Sequence, residues 1–219
     1  MKSLLLRLKQ PKKILKKTPT EEKILLSAKK VFYQKGLKGA RMQEIADDAG
    51  VNKAMLHYYF RSKEKLFDKV FEQSVKSVTP MLMNVFLEES DLNTKIAHLV
   101  DMLIDLFLQE PYLSNFIVNE LSQNPEKLFL NVLDYEGGLI GKIIPLVNEQ
   151  IQVEIEKGNV NNNIKPAELI LNIMSLCLLP IMAQTVLQKT LGIDDERMDR
   201  FMKKRKQTVT QFVLDAIKP

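Results

Sequence analysis

Residues 36–66 have the sequence GLKGARMQEIADDAGVNKAMLHYYFRSKEKL. Within this stretch, two short segments, 42–49 and 53–60, carry apolar side chains at the 3–4 spacing of a helix face. These apolar positions are Met42, Ile45, Ala46, Ala49, Leu56 and Phe60. Gly50 lies between the segments, where a sharp turn needs a residue that tolerates a positive φ. The pattern predicts a helix-turn-helix, an arrangement common in DNA-binding proteins that also occurs by chance in helical proteins.

Helices are predicted on both sides of this pair. Upstream, Thr20 is expected to cap a helix over 20–35, and Gly36 is expected to end it. Downstream, Ser62 is expected to cap a helix over 63–88. Asn52 is expected to cap the helix over 53–60 in the same way, because its side-chain oxygen can accept from free backbone amides.

The rest of the chain also has a helical pattern, so we expect an all-α protein. Good helix formers dominate the composition, and the 219 residues include only 8 Gly and no Trp. Pro180 lies inside an apolar helical pattern and is expected to kink it. The further predicted helices span 92–109, 112–123, 126–135, 138–157, 166–191 and 194–217.

Charge is distributed unevenly along the chain. Residues 1–70 contain 18 Lys and Arg against 7 Asp and Glu, whereas the remainder carries an excess of six acidic residues. The balance of the whole chain is +5. A basic first third suggests a module that binds a polyanion, and a solvated lysine-rich surface is the alternative. The arm over 1–19, with basic residues from Lys12 to Lys17, either contacts DNA phosphates or the minor groove, or is a solvated tail.

Several classes of site find no support in the sequence. The chain has one cysteine, Cys177, and two distant histidines, so we expect no disulfide, no metal site and a reducing cytoplasmic location. No nucleophile–base pair or glycine-rich phosphate loop supports an enzyme, and no cofactor is expected. No run of about 18 uncharged apolar residues predicts a membrane span. Binding to a membrane surface through the basic, leucine-rich arm remains an alternative to DNA binding.

The stretch from 36 to 66 resembles the TetR/AcrR family of bacterial regulators. The resemblance covers roughly 45 residues, a fifth of the chain, when the upstream matches are included. Those upstream matches are Ile24-Leu25, Ala28, Phe32 and Gly36. The other matches are Ile45-Ala46, Ala49-Gly50-Val51, Leu56, Tyr58-Tyr59-Phe60, Lys63-Glu64 and Leu66.

This resemblance implies a three-helix DNA-binding domain followed by a larger helical domain that binds a ligand and dimerises. We therefore expect an arm over 1–19, a DNA-binding domain over 20–66 and a ligand-binding and dimerisation domain over 67–219. The sequence departs from the family at Arg41 and Asn52, where the family often has Ser or Thr. It also departs at His57, which replaces the first aromatic residue of the Tyr-Tyr pair. These differences affect the expected operator sequence.

In the implied fold, the helix over 53–60 enters the major groove of a double-stranded operator. The side chains expected at base edges are Lys53, Ala54, Met55, His57 and Tyr58. The phosphate contacts are expected from Thr20, Arg41, Gln43, Tyr59 and Lys63, with Tyr58 able to donate to a phosphate as well. Asn52 is expected to lie near bases or phosphates. Tyr59 could instead pack against the first helix, and Leu56 and Phe60 are expected in the core.

The larger domain gives weaker signals. A small apolar or amphipathic ligand is expected to contact His98, Met102, Phe116, Asn119, Glu120, Met174 and Cys177. Simple core packing is the alternative for most of these residues, and His98 in particular could be a core histidine. A homodimer is expected through Leu171, Met198, Phe201, Val209 and Phe212, because an all-round apolar helix over 169–182 needs burial on every side. Burial within a single chain is the alternative.

These expectations combine into a dimeric repressor that a small molecule releases from its operator. The two recognition helices would lie about one DNA turn, roughly 34 Å, apart. A ligand that favours another spacing would lower operator binding, with the helix over 63–88 as the lever. A constitutive or activating regulator without an inducer is the alternative.

Overall fold

The computed structural model describes residues 18–123, 125 and 139–219, and within these ranges every regular element is an α-helix. This confirms the predicted all-α class with an N-terminal helix-turn-helix and a larger helical domain. The described helices are α1 Pro19–Gly39, α2 Met42–Ala49, α3 Lys53–Phe60, α4 Lys63–Leu87, α5 Leu92–Gln109, α6 Pro111–Gln123, α7 Leu139–Glu156, α8 Pro166–Met182, α9 Gln184–Leu191 and α10 Asp195–Ile217. The arm up to residue 17 and the predicted helix over 126–135 lie outside the described residues.

Polar side chains cap five of the described helices. The side-chain oxygens of Thr18, Asn52, Ser62, Asp91 and Asp194 each accept from a backbone N–H in the first turn. The predicted caps at Asn52 and Ser62 are confirmed. The cap predicted at Thr20 was wrong, because Pro19 takes the first helical position, where its fixed φ and missing N–H cost nothing. Thr18 is therefore the cap of α1, and Thr20 lies inside the helix.

The long apolar segment over 166–191 is two helices instead of one. α8 ends at Met182, and α9 begins after Ala183 at an angle of 67°. The bend thus comes after Ile181 and Met182, three residues beyond the predicted kink at Pro180. In the described part of the chain, no helix taken singly is long and apolar enough to cross a membrane. The bent pair meets that test only when its two helices are counted together, on length and composition.

One aromatic cluster joins the N-terminal helices to the larger domain. The rings of Phe32 on α1 and Phe67 on α4 meet edge to face at 5.1 Å between centroids. Phe116 on α6 lies 5.5 Å from Phe67 and stacks on Tyr33 of α1 at 4.8 Å. The predicted boundary at 66/67 therefore falls within a continuous helix, α4, and beside a continuous core.

The larger domain is organised around α5, which packs against α8 and α10. The inner face of α10 includes Met198 and Val209, which are only 0% and 2% exposed in the single chain. The dimer prediction was wrong for these two side chains, because their helical spacing directs them toward α5. Leu171 and Phe212 are exposed at 63% and 62%, and Phe201 is half-buried. The apolar pattern of α8 therefore divides between a buried face and an exposed one.

Candidate nucleic-acid interface

Local sequence explains the turn between α2 and α3. Gly50 adopts φ 64° and ψ 36°, the left-handed conformation that glycine takes without strain. The backbone N–H of Val51 donates to the carbonyl of Ala46 at 3.0 Å, which closes the end of α2. Asn52 Oδ1 then accepts from the N–H of Ala54 at 2.9 Å and starts α3. The chain reverses within three residues and sets the two helices across each other.

Core contacts on one side of α3 fix which side faces outward. Leu56 and Phe60 are buried, as predicted, and they hold the helix against the rest of the domain. The five side chains predicted to reach base edges are all exposed, and Tyr58 is 70% exposed. They are Lys53, Ala54, Met55, His57 and Tyr58. An exposed helical face with one lysine, two apolar groups, an imidazole and a phenol can donate hydrogen bonds and contact thymine methyl groups.

The surroundings of Tyr59 partly fit both predicted roles, contact with a phosphate and packing against the first helix. It is half-buried, and its hydroxyl oxygen accepts a hydrogen bond from the Thr18 hydroxyl at 3.1 Å. Its ring also meets that of Tyr58 edge to face at 5.3 Å. The side chain therefore joins the recognition helix to the start of α1 while its ring remains next to the exposed surface.

The residues predicted at phosphates have different surroundings. Arg41 is exposed at the N-cap of α2, and its side chain makes no capping bond. Gln43 is exposed and donates to Asp47 at 2.8 Å. Lys63 is half-buried and donates to the carbonyl of Ala40 at 3.1 Å, so it connects α4 to the link before α2. Thr20 is half-buried on the second residue of α1.

Ion pairs on the outer side fix α2 against α1. Lys30 contacts Asp48 at 2.5 Å, and Lys35 contacts Glu44. The hydrogen bonds that Asp48 receives, first from Lys30 and then from Ser27, lower the pKa of its carboxyl group. Because these side chains are largely solvated, the ion pairs add little to the stability of the fold and mainly orient α2 on α1.

Two features of this surface were not anticipated. Arg61, between α3 and α4, has φ 66°, and it is the one non-glycine residue with positive φ in the described ranges. Its N–H donates to the carbonyl of His57 at 3.0 Å, and its exposed side chain follows directly after the recognition helix. The other feature is Thr18, which the adjacent Pro19 could have indicated.

The helix-turn-helix is connected to the larger domain through α1. Tyr33 donates to Ser74 of α4 at 2.7 Å, and Lys29 contacts Glu110, just before α6, at 2.7 Å. Gly36 interrupts α1 at φ 64° and ψ −179°, and a Cβ there would lie 2.0 Å from Asn119 Nδ2. α6 is thus in direct contact with α1, in addition to the predicted lever α4.

The predicted ligand residues are dispersed over three helices. Phe116 is buried against α1, Asn119 lies against Gly36, and Glu120 is buried on the same helix. The other predicted ligand residues are Met102 and Met174, both half-buried, and Cys177, which is buried. Contact of any of these side chains with a ligand stays a prediction.

His98 does not lie in the core, so the core-histidine interpretation was wrong. Its side chain is exposed and contacts Glu88 at 2.8 Å. A surface groove lies instead between α1 and α4, where Leu25, Leu26, Val70 and Ser74 contribute to its lining. None of the predicted ligand residues lines that groove. In the described ranges, no group of three or more His, Cys, Asp or Glu side chains is placed to hold a metal ion.

The sequence that forms this helix-turn-helix is similar to that of known proteins. The family model described as "Bacterial regulatory proteins, tetR family" matches residues 24–70, from the middle of α1 into α4. The chain is also 29% identical over 177 residues to the HTH-type transcriptional repressor NicS of Pseudomonas putida, with 80% of this chain and 82% of NicS covered. Residues 24–70 therefore resemble the TetR family, and the similarity to the repressor NicS extends over most of the chain. These similarities support a DNA-binding transcriptional regulator.

Other proteins extend the similarity beyond the helix-turn-helix. IcaR of Staphylococcus aureus, a negative transcriptional regulator of the icaADBC biofilm operon, is 29% identical over 148 residues, covering 66% of this chain and 72% of IcaR. The fatty acid degradation regulator FadR of Bacillus halodurans has the same fold, with a TM-score of 0.66 at 20% identity over 91% of this chain and 97% of that one. FadR of Bacillus subtilis in complex with stearoyl-CoA gives a TM-score of 0.65 at 15% identity over 90% and 98%.

Proposed function

We propose that this chain is a homodimeric repressor that binds a two-fold-symmetric operator and is released from it by a small apolar or amphipathic ligand in the cytoplasm. The observation that carries the proposal is the outward face of α3, fixed by buried Leu56 and Phe60 on the opposite side. Because the helix cannot rotate without exposing these groups, the five outward side chains keep one orientation relative to the DNA. The repressors NicS and IcaR support the sign of regulation.

We assign base contacts to the outward face of α3 and phosphate contacts to its surroundings. Lys53 can donate to guanine O6 and N7, whereas Ala54 and Met55 can contact thymine methyl groups. The side chains that we assign to contacts with DNA phosphates are Thr20, Arg41, Gln43, Asn52, Tyr59 and Lys63. The ammonium of Lys63 has three donors, so its bond to the Ala40 carbonyl leaves donors available for a phosphate.

The exposed apolar surface of α8, α9 and α10 supports the homodimer. Leu171 and Leu179 project from α8, Val186 from α9 and Phe212 from α10, each more than half exposed in the single chain. Large apolar side chains left exposed on neighbouring helices are typical of an interface. We assign it to a second copy, because two recognition helices are needed to occupy two operator half-sites.

A ligand in the larger domain would act on α3 through α4 and α6. Both helices contact α1, through the Tyr33–Ser74 bond and through the packing of Asn119 at Gly36. The stearoyl-CoA complex of Bacillus subtilis FadR supports an amphipathic ligand for this fold. We keep the division into an arm over 1–19, a DNA-binding domain over 20–66 and a sensor domain over 67–219, with α4 shared between the last two.

Operator binding is tested by selecting bound duplexes from a random DNA library with the full chain, followed by fluorescence anisotropy at two salt concentrations. We expect a two-fold-symmetric site whose affinity falls steeply with salt. Tyr58→Ala should weaken binding at least about tenfold, on the order of one lost hydrogen-bonded base or phosphate contact. Tyr112→Ala is the matched control, since Tyr112 is also an exposed tyrosine but lies at the start of α6. An equal effect of both changes would contradict the assignment of α3.

The dimer is tested by sedimentation equilibrium of Leu179→Glu beside Leu87→Glu. The two leucines are similarly exposed, at 66% and 60%, but Leu87 lies at the end of α4. We expect the first change to shift the protein to monomers and the second to leave dimers.

The ligand response is tested by measuring operator affinity with added acyl-CoA and other amphipathic compounds. If none of them changes the affinity, the alternative of a constitutive regulator gains support.

A further inference from the structure

The link between α3 and α4 is a strained turn. The N–H of Ser62 donates to the carbonyl of Phe60 at 2.7 Å, across the single residue Arg61. Arg61 itself has φ 66° and ψ −50°. Together with the hydrogen bond between residues two apart, these angles define the rare form of γ-turn, which strains any central residue other than glycine. A residue keeps such a conformation only where neighbouring contacts hold it.

Two hydrogen bonds to His57 of α3 hold this turn. The N–H of Arg61 donates to the carbonyl of His57 at 3.0 Å. In the other direction, Nδ1 of the His57 ring lies 3.2 Å from the carbonyl oxygen of Arg61. Because a carbonyl oxygen can only accept, Nδ1 carries the hydrogen in this bond. The imidazole therefore helps to close the turn, and the turn in return selects the tautomer of the imidazole.

This tautomer decides what His57 can offer to a base. A neutral imidazole carries one ring hydrogen, so a hydrogen on Nδ1 makes Nε2 an acceptor. His57 is exposed, and its Nε2 forms no hydrogen bond with the residues that the structure describes. In the major groove, an acceptor can pair with N4 of cytosine or N6 of adenine, both of which are exocyclic amino groups. Guanine presents only the acceptors O6 and N7 there.

We propose that Nε2 of His57 accepts a hydrogen bond from an exocyclic amino group of cytosine or adenine in the operator, and that Arg61 is the positioning residue whose carbonyl fixes the required tautomer. This inference rests on the proposed operator binding by α3. Lys53 lies four residues before His57 and so on the same side of the helix. Since its ammonium can only donate, the face of α3 presents a donor and an acceptor one helical turn apart.

The tautomer is tested by long-range proton–nitrogen NMR of the isotope-labelled full chain without DNA. The measurement is made at about pH 8, above the range in which imidazole groups usually titrate. The chain has two histidines, so His98→Gln assigns both rings. We expect His57 to carry its hydrogen on Nδ1. His98 is the reference, because its Nδ1 contacts the carboxylate of Glu88 at 2.8 Å. A hydrogen on Nε2 of His57 would overturn the proposal.

The base contact is tested by a cycle between protein and DNA variants. Duplexes are first selected with the unaltered chain and with His57→Ala, and the position whose preference is lost in the variant is the one that His57 reads. The adenine or cytosine found there is then replaced with an analogue that lacks the amino group. We expect this replacement to weaken binding by the unaltered chain at least about fivefold more than binding by His57→Ala. Equal losses would show that Nε2 does not accept from that amino group.

His57→Lys is the control of opposite hydrogen-bonding character. Its ammonium can only donate, so loss of an amino group from the base should affect this variant no more than it affects His57→Ala. A loss as large as that of the unaltered chain would mean that the analogue acts through the shape of the duplex. The identity of the selected base distinguishes adenine from cytosine.

The role of Arg61 is tested with two variants that both lose the guanidinium. Glycine takes positive φ without strain, whereas β-branched valine does so very rarely. Arg61→Gly should therefore keep the hydrogen on Nδ1 and the base preference, even where a lost phosphate contact weakens binding to all sequences alike. Arg61→Val should lose both. The same tautomer and the same preference in the two variants would contradict the positioning role. Circular dichroism and the urea midpoint of each variant establish that the fold is retained.

The outcomes separate this inference from the proposed function. Failure of the unaltered chain to enrich any duplex overturns both. Enrichment of a two-fold-symmetric site whose base preferences are the same in His57→Ala overturns only the role of His57.

Discussion

The guanidinium of Arg205 donates two hydrogen bonds, at 2.9 and 3.2 Å, to the backbone carbonyl of Leu176. Leu176 lies four residues before Pro180 in α8, and Pro180 has no N–H to donate back to that carbonyl. Arg205 of α10 therefore occupies the place of the missing helical donor. In this way, a side chain from a neighbouring helix compensates for a proline inside an apolar helix.

Replacing Arg205 with methionine should destabilise the fold. Arg205→Met leaves a half-buried carbonyl without either donor, which costs about 1–3 kcal/mol in the free energy of unfolding. In a Pro180→Ala background the cost should be smaller, because the backbone N–H of the introduced alanine can itself donate to the Leu176 carbonyl. Urea unfolding at fixed protein concentration measures both. Arg200→Met, at an exposed pair with Glu196, is the control and should change stability by less than about 0.5 kcal/mol. Equal costs of Arg205→Met in both backgrounds would contradict this role.

Gly36→Ala should cost more than the same change at Gly192. Both glycines have positive φ, but Gly36 also has ψ −179°, a region that other residues rarely enter, and its new Cβ would force Asn119 to move. Gly192 has open space around it. We expect a difference of at least about 1 kcal/mol by urea unfolding. Adding Asn119→Ala to Gly36→Ala should restore the part of the stability that is lost through the clash with Asn119. If no stability is restored, the whole loss comes from backbone strain at position 36.

Stability should fall above about pH 10 because of Tyr33. Burial raises the pKa of Tyr33 to about 12, with the hydrogen bond to Ser74 opposing this rise and the charge of Glu110 adding to it. The unfolded tyrosine loses its proton near pH 10, whereas the folded one keeps it until about pH 12. The unfolded state is therefore favoured increasingly between these values, by up to about 1.4 kcal/mol per pH unit. The test measures the free energy of unfolding of the unaltered chain and of Tyr33→Phe at each pH. The value for the unaltered chain minus the value for the variant should decline from about pH 9.5 to about pH 11.5. A difference that stays constant over this range would contradict the prediction.

Cys177 should be unreactive in the folded protein. Burial raises the pKa of its thiol to about 12, although the charge of Arg205 acts in the opposite direction. Thiolate is the reactive form, so labelling with a disulfide reagent at about pH 8 should be at least about a hundredfold slower in buffer than in denaturing urea. Labelling in buffer at a comparable rate would instead indicate an open cavity at Cys177, as its predicted ligand contact requires.

Much of the N-terminal region could be predicted from local pattern. Asn52 and Ser62 are caps as expected, and Gly50 makes the turn, because each acts on backbone groups only a few residues away. The apolar spacing also separated buried Leu56 and Phe60 from the exposed residues of α3. That the exposed side chains contact DNA, and in which roles, remains a proposal.

The errors arose where two local signals competed or where packing was decisive. Thr18 and Thr20 both precede acidic residues, and only the position of Pro19 distinguishes them. On α10, Met198 and Phe212 both belong to the apolar pattern, yet the first faces α5 inside the chain and the second faces outward. Periodicity gives the width of an apolar stripe but not which part of it a neighbouring helix covers.

The amino-acid sequence by itself therefore determined the all-α class, the helix-turn-helix and the outward face of its recognition helix. These depend on helical periodicity, caps and turn glycines, all of which act over a few residues. Only the tertiary structure decided that Thr18 bonds Tyr59, that Lys63 bonds the Ala40 carbonyl and that α6 packs on α1 at Gly36. Those contacts join groups far apart in sequence, and the packing of whole helices sets which of them meet.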